Sequence, residues 1–358
     1  MRDPGTPLYK ARRTSEDRYP HRGICGASKK IEPDLNNSYY YSNNIHKAGE
    51  IISKHRILSI RDRIIKSIRS FLAEQGFLEV QTPLLIEAPI PEASIQTFPV
   101  SQGRGRPDMY LIPSPEINLK RLLAEGFDRI FQLGPVFRQE ERGCHHLSEF
   151  TMLEWYRTGS NYHDLMSDCE AIIKITAGAA GWKNGSITYK DQKIDINPDF
   201  PKITIKKAFE KYAGWIPGVS TDLERFNEDM VTKIEPNLPL DRPIFLMDYP
   251  AYCASLAKLK PSDPTVAERV ELYAGGLEIA NGFSELTDPV EQETRFRKEA
   301  ERLMEQGFNA CPWPEKFLES LSRLPKCAGM ALGIDRLVML LTNSSNINEV
   351  VPFPLEKI

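Results

Sequence analysis

Two arginines and a phenylalanine stand where a nucleotide could be bound. Arg138 follows a strand predicted over residues 129–137, and Phe150 begins the next strand after a polar loop. A guanidinium group binds phosphate through paired hydrogen bonds, and an aromatic ring stacks on a base. Arg336 lies in the first turn of a helix predicted after the glycine-containing stretch 329–333, where free N–H groups also attract anions. Together the two segments predict a nucleotide site, although each alone is also typical of ordinary structural packing.

Two carboxylates are predicted to share one face of a β-hairpin. Gly275-Gly276 is a two-residue turn sequence. The resulting register places Glu271 opposite Ala280, on the face that also carries Glu278. The two carboxylates are then diagonal neighbours, about 7–8 Å apart at the backbone. Such side chains can converge on Mg²⁺, which proteins hold through a few carboxylates and phosphate oxygens. The alternative, a solvated sheet face, is less favoured because like charges placed together cost stability.

The elements that carry these residues indicate an antiparallel α+β fold. Apolar residues recur at helical spacing from Ile57 to Leu72, and Gly76 ends that helix before a strand over residues 77–83. Later strands are joined by hairpins rather than by regular helical crossovers, which favours an antiparallel sheet flanked by helices. Further strands are predicted over residues 149–155, 244–248, 270–274, 277–280 and 330–332, and further helices over 114–123, 163–177, 290–305 and 335–341.

Composition divides the chain into two parts. Residues 1–50 are polar, with few aliphatic side chains, and are predicted to form a flexible extension. Residues 51–358 are predicted to form one domain, with a small α/β insertion at about residues 185–240. Within that domain, residues 281–283, Asn-Gly-Phe, are predicted to form a bulge or turn that re-aims the strand before Glu285.

The bulk composition is that of a globular protein, with 41% hydrophobic and 27% charged residues. The net charge of -3 gives no electrostatic reason to expect a protein that coats nucleic acid. The six cysteines form no CxxC pair, so we expect reduced thiols in a cytoplasmic protein. No apolar run is long enough to span a bilayer, and the N-terminus lacks the hydrophobic stretch of a signal peptide, so no membrane association is expected.

The chemistry-bearing segments, in this order, resemble the motifs of class II aminoacyl-tRNA synthetases, and most closely the catalytic domain of lysyl-tRNA synthetase. Pro83 resembles the proline of motif 1, residues 137–150 resemble motif 2, and residues 333–336 resemble motif 3. Residues 278–286, Glu-Ile-Ala-Asn-Gly-Phe-Ser-Glu-Leu, are similar to a signature of the lysine enzymes. The resemblance covers residues 51–358 and implies a class II catalytic domain. Because motif 1 lies at the dimer interface of that family, it also implies a homodimer.

The resemblance implies that ATP and Mg²⁺ are bound by motifs 2 and 3 and the acidic hairpin. Arg138 would hold the α-phosphate and the substrate carboxylate, His146 would reach the phosphates, and Phe150 would stack on adenine. Arg336 would bind the γ-phosphate, while Glu271 and Glu278 would ligate Mg²⁺. The nucleotide-binding set is Arg138, Glu140, His146, Phe150, Glu278, Ile279, Gly333 and Arg336, of which Arg138 and Arg336 are the catalytic residues.

The resemblance also implies a lysine-like substrate. Tyr156 and Glu285 would receive its ε-ammonium group, and Glu116 would face its other amino group. Ser114 and Ala331 stand where lysyl-tRNA synthetase has alanine and glycine, and both match a paralogous family, the elongation factor P–(R)-β-lysine ligases. An added hydroxyl and methyl beside the α-carbon favour an amino group on the β-carbon, each by about 1–3 kcal/mol. Elongation factor P is therefore the expected protein substrate.

The reaction implied is in-line attack of a carboxylate on the α-phosphorus of ATP, which releases pyrophosphate and leaves an aminoacyl-adenylate. The residues before the domain are too few and too polar for an anticodon-reading β-barrel, so no stable nucleic-acid partner is expected. Two alternatives remain open. A truncated synthetase could charge tRNA or release free adenylates. A non-catalytic regulator could bind lysine or nucleotide, since Leu147 replaces an asparagine that contacts ATP in the family.

Overall fold

The computed structural model describes residues 53–354 except for eleven positions: Ser94, Arg104, Arg106, Pro107, Glu140, Val219, Ser220 and residues 308–311. The described residues all belong to one unit, Gly49–Ile358. The predicted extension over residues 1–50 and the predicted nucleotide-binding residue Glu140 lie outside the described part of the chain.

The described residues form helices and strands in mixed order. The helices are α1 (Lys54–Glu74), α2 (Glu116–Ala124), α3 (Tyr162–Ala180), α4 (Ile205–Tyr212), α5 (Leu223–Asp229), α6 (Pro289–Glu305), α7 (Glu315–Leu321) and α8 (Ile334–Thr342). The strands are β1 (Leu78–Glu79), β2 (Leu85–Ile86), β3 (Pro99–Val100), β4 (Met109–Leu111), β5 (Arg129–Phe137), β6 (Glu149–Thr158), β7 (Ser186–Tyr189), β8 (Gln192–Asp195), β9 (Lys202–Thr204), β10 (Ile244–Pro250), β11 (Leu259–Lys260), β12 (Asp263–Ala274), β13 (Leu277–Ser284) and β14 (Cys327–Gly333).

One large sheet organises the described residues. Its strands follow the order β1-β5-β6-β14-β13-β12-β10-β9, and β11 pairs with β12. Only the outermost pairs, β1 with β5 and β9 with β10, are parallel, whereas the pairs between β5 and β10 are antiparallel. The predicted antiparallel α+β fold is confirmed.

Helix α1 covers one face of this sheet because of its apolar spacing. Ile57, Ile60, Ile64, Ile68 and Leu72 recur every three to four residues and are all buried. Each contributes about 1.5–3 kcal/mol through burial. The side chain of Ser53 caps the first turn, and Gly76 follows the last turn with a φ of 79°, a conformation that glycine adopts without strain. Helices α3 and α8 complete this layer, and their apolar side chains share one core with those of α1.

The opposite face of the sheet is covered only in part. Helices α2 and α7 pack there with α6, over a second core that includes Leu119, Phe296 and Phe317. The predicted insertion contributes the separate hairpin β7–β8 and helices α4 and α5, and its strand β9 extends the central sheet beside β10. The rest of this sheet face, carried by β6, β12, β13 and β14, is left to line cavities.

The acidic hairpin differs from its predicted register. Tyr273 pairs with Glu278, as the Gly275-Gly276 turn requires, but Leu272 then pairs with Ala280, so Ile279 is an extra residue on β13. Glu271 therefore faces Asn281, and Ala280 belongs to the core on the other side of the sheet. The predicted pairing of Glu271 with Ala280 is wrong because a bulge shifts the alternation by one residue.

The bulge also lies elsewhere than predicted. Residues 281–283 continue β13 in regular pairing with β14, up to the pair Ser284–Ala328. Asparagine and glycine are common in turns, and the irregularity was predicted at these residues for that reason. Neighbouring strands on both sides hold this segment extended instead. The three short strands β2–β4, which form a small separate sheet, were not predicted.

No helix within the described ranges is both long and apolar enough to cross a membrane.

Candidate active site

Two adjoining cavities open on the partly covered face of the sheet. The carboxylate cavity is lined among others by Ser114, Glu116, Glu154 and Tyr156. The arginine cavity is lined among others by residues of motifs 2 and 3, His146, Phe150, Gly333 and Arg336, together with Glu278 and Ile279. The residues that line both are Glu92, Ile95, Arg138, Met152, Arg269, Asn281 and Ala331. A ligand in one cavity is therefore in contact with the wall of the other.

Arg336 is held in the arginine cavity by three neighbours. It lies in the first turn of α8, three residues after β14 ends at Gly333. Its Nε donates to the carbonyl of His145 at 3.2 Å, and its Nη1 donates to the carbonyl of Glu278 at 3.0 Å. Its Nη2 lies 2.6 Å from Nε2 of His146. The guanidinium group is thus oriented before any anion arrives, which reduces the cost of binding one.

The contact with Arg336 fixes the state of His146. A guanidinium group only donates hydrogen bonds, so Nε2 of His146 must accept, and the ring is neutral with its proton on Nδ1. Burial, with the charge of Arg336, lowers the pKa of His146 below its ordinary value, in agreement with a neutral ring. His146 therefore supplies a hydrogen-bonding group beside Arg336 rather than a second positive charge.

Arg138 and Phe150 stand side by side at the junction of the two cavities. Arg138 directly follows β5, and Phe150 is the second residue of β6; the pairing of these strands brings Val136 opposite Phe150. The Arg138 guanidinium lies 5.2 Å from the centre of the Phe150 ring, and its Nη1 donates to Glu141 at 3.0 Å. Both side chains of the Arg138–Glu141 pair are partly exposed, so Arg138 can exchange this pair for a phosphate or a carboxylate at little cost.

The two carboxylates of the acidic hairpin are in different states. Glu271 accepts four hydrogen bonds, from Tyr249 and Tyr273 on one oxygen and from Arg269 and Asn281 on the other. Glu278 has only a long 3.4 Å contact with Arg336. Burial and the nearby Glu271 raise the pKa of Glu278 to about 7, although Arg336 opposes this. Glu278 is therefore paired only at long range with Arg336 and fits a hard metal ion, whereas Glu271 would join such a site only by losing one of its donors.

Ser114 organises the acids at one side of the carboxylate cavity. Its hydroxyl group lies 3.0 and 3.1 Å from the two carboxyl oxygens of Glu154, and it accepts from the Glu116 N–H at 3.0 Å. Glu154 lies on β6 between Met152 and Tyr156, on the same face of the strand. Burial and the neighbouring Glu116 raise the pKa of Glu154 to about 8.

A buried lysine joins two of the predicted substrate-binding acids. Lys120, on α2, forms ion pairs with Glu116 one turn before it and with Glu285, the latter at 2.5 Å. Burial alone would lower the pKa of Lys120, but the two carboxylates raise it above its ordinary value, so the amine stays charged. Oε1 of Glu285 has no hydrogen-bond partner among the described residues. It lies next to Gly329, a residue of the cavity wall.

The structure brings most of the predicted site residues to these two cavities. Arg138, His146, Phe150, Glu278, Ile279, Gly333 and Arg336 line the arginine cavity, and Ser114, Glu116, Tyr156 and Ala331 line the carboxylate cavity. Glu271 and Glu285 are buried just behind the walls, where they contact the lining residues Asn281 and Gly329. Leu147 also lines the arginine cavity and packs against the main core.

Three charged residues of the site were not predicted from the sequence: Glu154, Arg269 and Lys120. Glu154 could have been found from alternation, because it lies on β6 between the predicted residues Phe150 and Tyr156, in step with both. Arg269 could have been found in the same way, two residues before Glu271. Lys120 follows Glu116 by four residues, a spacing that predicts an ion pair but does not predict its burial against Glu285.

The fold and the two cavities define a class of enzyme. An antiparallel sheet presents one arginine at a strand end and another in the helix after the last strand, on either side of an acidic hairpin. The family described as "tRNA synthetases class II (D, K and N)" matches this chain over residues 43–357. The architecture is therefore that of a class II synthetase catalytic domain.

Individual relatives narrow the class further. An elongation factor P–(R)-β-lysine ligase of Vibrio cholerae is 37% identical over 313 residues, which cover 84% of this chain and 95% of the relative. The ligase of the same name from Pectobacterium carotovorum is 37% identical, over 83% of this chain and 94% of the relative. That of Vibrio atlanticus is 35% identical, over 87% of this chain and 100% of the relative. The chain belongs to the elongation factor P–(R)-β-lysine ligase family of class II synthetase relatives.

Proposed function

We propose that this protein activates (R)-β-lysine with ATP as an aminoacyl-adenylate and transfers the β-lysyl group to a lysine side chain of elongation factor P. The observation that carries this proposal is the common wall of the two cavities. A diamino acid among the carboxylates and a nucleotide among the arginines would meet at Arg138. The names of the relatives support the choice of (R)-β-lysine and elongation factor P.

Arg138 and Arg336 are the residues that we expect to accelerate the activation step. The substrate carboxylate is itself the nucleophile, so no general base is needed. Arg138, at the junction of the cavities, would hold the carboxylate and the α-phosphate in line, and Arg336 would bind the departing phosphates. Phe150 would stack on adenine. Positioning and charge neutralisation then account for the acceleration.

Glu278 is the residue that best fits Mg²⁺. Its ion pair with Arg336 is long, at 3.4 Å, and burial together with the nearby Glu271 raises its pKa. Mg²⁺ bound there with ATP would neutralise charge on the phosphate oxygens. Glu271 holds Arg269 and Asn281 in the shared wall through its hydrogen bonds, and a second metal contact from Glu271 stays a prediction.

Ser114 and Ala331 are expected to set the choice between lysine isomers. Ser114 lies between Glu116 and Glu154, so its hydroxyl adds a polar group where a β-amino group would be recognised. Ala331 lies on β14 between Glu154 and Asn281, its partners on the neighbouring strands, and its methyl group occupies space in both cavities.

The first experiment is ATP–pyrophosphate exchange with (R)-β-lysine, (S)-β-lysine and α-lysine in parallel. We expect exchange with (R)-β-lysine above the other two. The second experiment adds elongation factor P, which should gain the mass of one β-lysyl group. Transfer should become faster with rising pH, because the accepting amine must be neutral to attack. Exchange without any mass gain on elongation factor P, together with aminoacylation of tRNA, would support the truncated synthetase instead. The absence of exchange with every isomer would leave the non-catalytic regulator.

We also propose that the protein acts as a homodimer in the cytoplasm, without a stable nucleic-acid partner. The dimer follows from the motif 1 resemblance around Pro83, and the location is that of the proposed substrates. Sedimentation at several concentrations, with and without lysine tRNA, measures both the oligomeric state and any nucleic-acid binding.

A further inference from the structure

Four ionisable side chains form one cluster beside the carboxylate cavity: Glu116, Lys120, Glu154 and Glu285. Lys120 contacts Glu116 and Glu285, and the Ser114 hydroxyl joins Glu116 to Glu154. Lys120, Glu154 and Glu285 are each at most 3% exposed. The cluster therefore contains three acids and one amine, nearly shielded from water.

The groups that surround the cluster do not balance its charge. The charges of Glu116, Lys120 and Arg138 act on the pKa of Glu154, which accepts a hydrogen bond from Ser114. The charges of Lys120, Glu116 and Glu154 act on the pKa of Glu285. The neutral neighbours are Tyr156, Cys327 and the ring of Phe283, which lies 5.1 Å from the Lys120 amine. Arg138, the second cation, is already paired with Glu141.

A surplus of buried carboxylates is not tolerated in the ionised state. A buried acid without a cation takes up a proton, and acids in contact share protons as a group. Burial raises the pKa of both Glu154 and Glu285, and Lys120 opposes this effect. The one amine can neutralise one carboxylate, so the cluster as a whole retains protons near neutral pH.

We propose that this cluster holds a proton in the free protein and releases it to solvent when an ammonium group of the diamino acid enters the cavity. The inference rests on the proposed function, because the entering group is the amine of a lysine isomer. Substrate binding is then a cation-for-proton exchange.

Proton exchange makes the affinity depend on pH. At pH values below the range in which the cluster loses its protons, the affinity rises with pH. For each proton released on binding, the rise is up to about tenfold per pH unit. The increase ends where the substrate amines themselves begin to lose their protons. This dependence belongs to the binding step and is separate from the pH dependence of transfer to elongation factor P.

The test is calorimetric titration of the full chain with (R)-β-lysine at pH 7, without ATP, in phosphate and in Tris. These buffers differ in ionisation heat, so the difference in observed heat counts the protons released. We expect about one proton per bound lysine. Glu154→Gln keeps the size of the side chain and removes the ionisable group, so release should fall towards zero and the affinity should become nearly independent of pH. The matched control is Asp168→Asn, a partly buried carboxylate paired with Arg157 outside both cavities, which should release protons like the parent.

The outcomes separate this inference from the proposed function. Binding with equal heats in both buffers, or Glu154→Gln with unchanged release, overturns the proton exchange and leaves the proposed function intact. No binding of any lysine isomer overturns the proposed function. If Glu154→Gln does not fold, Ser114→Ala provides the second measurement. This variant removes the hydroxyl group that donates to Glu154, so the pH dependence of binding should move to higher pH.

Discussion

Lys120 illustrates how single residues set the charge beside the carboxylate cavity. Burial of a charged lysine amine that is 1% exposed would ordinarily destabilise the folded state. Here the amine forms ion pairs with two carboxylates, Glu116 and Glu285. Without Lys120, Glu116 and Glu285 would meet with no charge between them. The lysine thus permits two acids to be packed beside the cavity that is proposed to receive amines.

Replacing Lys120 by methionine should destabilise the protein by about 3–5 kcal/mol, because it leaves a buried acid pair without its cation. The loss should be larger at pH 8 than at pH 6. With Lys120 absent, the folded acids have raised pKa values, so the folded state binds protons that the unfolded chain releases, and stability falls as the pH rises. Chemical denaturation at both pH values measures this effect.

Lys66→Met is the matched control for that substitution. Lys66 pairs with Asp62 four residues before it, and both side chains are largely exposed. An exposed pair of this kind contributes less than about 1 kcal/mol. An equal loss of stability in the two variants would contradict the importance assigned to the buried cluster.

Gly329 occupies a position beside the carboxylate cavity that has no room for a side chain. A carbon added there would lie 2.1 Å from the Tyr156 ring and 2.7 Å from Oε1 of Glu285. Gly329→Ala should therefore cost about 1–3 kcal/mol of stability and displace the two groups expected to hold the ε-ammonium. Exchange assays should show a raised KM for lysine. Gly134→Ala, on β5, is the control, because an added carbon there meets nothing within 4 Å. A normal lysine KM in Gly329→Ala would contradict the expected placement of Tyr156 and Glu285.

The sequence predicted many of these residues because they follow strand alternation or a recognisable motif. Phe150 and Tyr156 were identified in this way, and Glu154 follows the same rule. The partnership of Lys120 with Glu285 could not be predicted, because it depends on how α2 lies against the end of β13. Such contacts between distant segments leave no local signal in the sequence.

Among the elements, β13 shows why the hairpin was only partly predicted. The Gly275-Gly276 turn correctly gives the pair Tyr273–Glu278. No glycine or asparagine marks the bulge at Ile279. An isoleucine is typical of a regular strand, so the sequence does not predict the extra residue. Its side chain fits the main core. Packing beneath the sheet therefore decides where the strand departs from regular pairing.

Helices α1 and α8 are linked by a polar contact just beneath the arginine cavity. Arg61, on α1, donates to Asp335 and to the Thr151 hydroxyl, and Asp335 also accepts from the Thr151 N–H at 2.6 Å. Asp335 precedes Arg336, and Thr151 follows Phe150. One buried ion pair therefore holds the backbone on both sides of the proposed nucleotide site.

Arg61→Gln should raise the KM for ATP by about tenfold, because a lost charge-assisted hydrogen bond worth about 1.5–3 kcal/mol loosens the segments that carry Arg336 and Phe150. The KM for lysine should change little, since the carboxylate cavity does not contact this pair. Steady-state exchange kinetics with each substrate varied in turn provide the measurement.

Two further variants serve as controls for Arg61→Gln. Arg61→Lys keeps the charge and should recover part of the ATP affinity. Arg69, also on α1, forms a more exposed pair with Glu79 of β1, so Arg69→Gln should leave both KM values unchanged. Equal increases in the KM of both substrates for Arg61→Gln would indicate general loosening instead of local positioning.

At the scale of the whole molecule, hairpin connections and helix periods were enough to predict the antiparallel sheet and the helix layer. The strands β5, β6 and β10 and the helices α1, α3 and α6 lie within a few residues of their predicted bounds. The small sheet of β2, β3 and β4 was missed, since its strands have only two or three residues and too few positions for a period. Such strands form because the surrounding chain brings them together.

Removal of residues 1–48 should leave lysine-dependent pyrophosphate exchange within about twofold of the full chain, the range of a 0.5 kcal/mol perturbation. The reason is that every cavity-lining residue named above belongs to the unit Gly49–Ile358. The same truncated protein should be tested for β-lysyl transfer to elongation factor P. A large loss of exchange would show that the N-terminal segment contributes to activation itself, whereas a loss confined to transfer would assign it to the protein substrate.

The common wall of the two cavities limits how this enzyme can diversify. Arg138, Arg269, Asn281 and Ala331 each line both cavities. Under the proposed function, a mutation that admits a new amino acid therefore also alters the surroundings of the triphosphate. A selection based only on tight binding of an unnatural amino acid would therefore enrich variants that no longer form the adenylate. A selection based on adenylate yield would retain the few substitutions that both ligands tolerate.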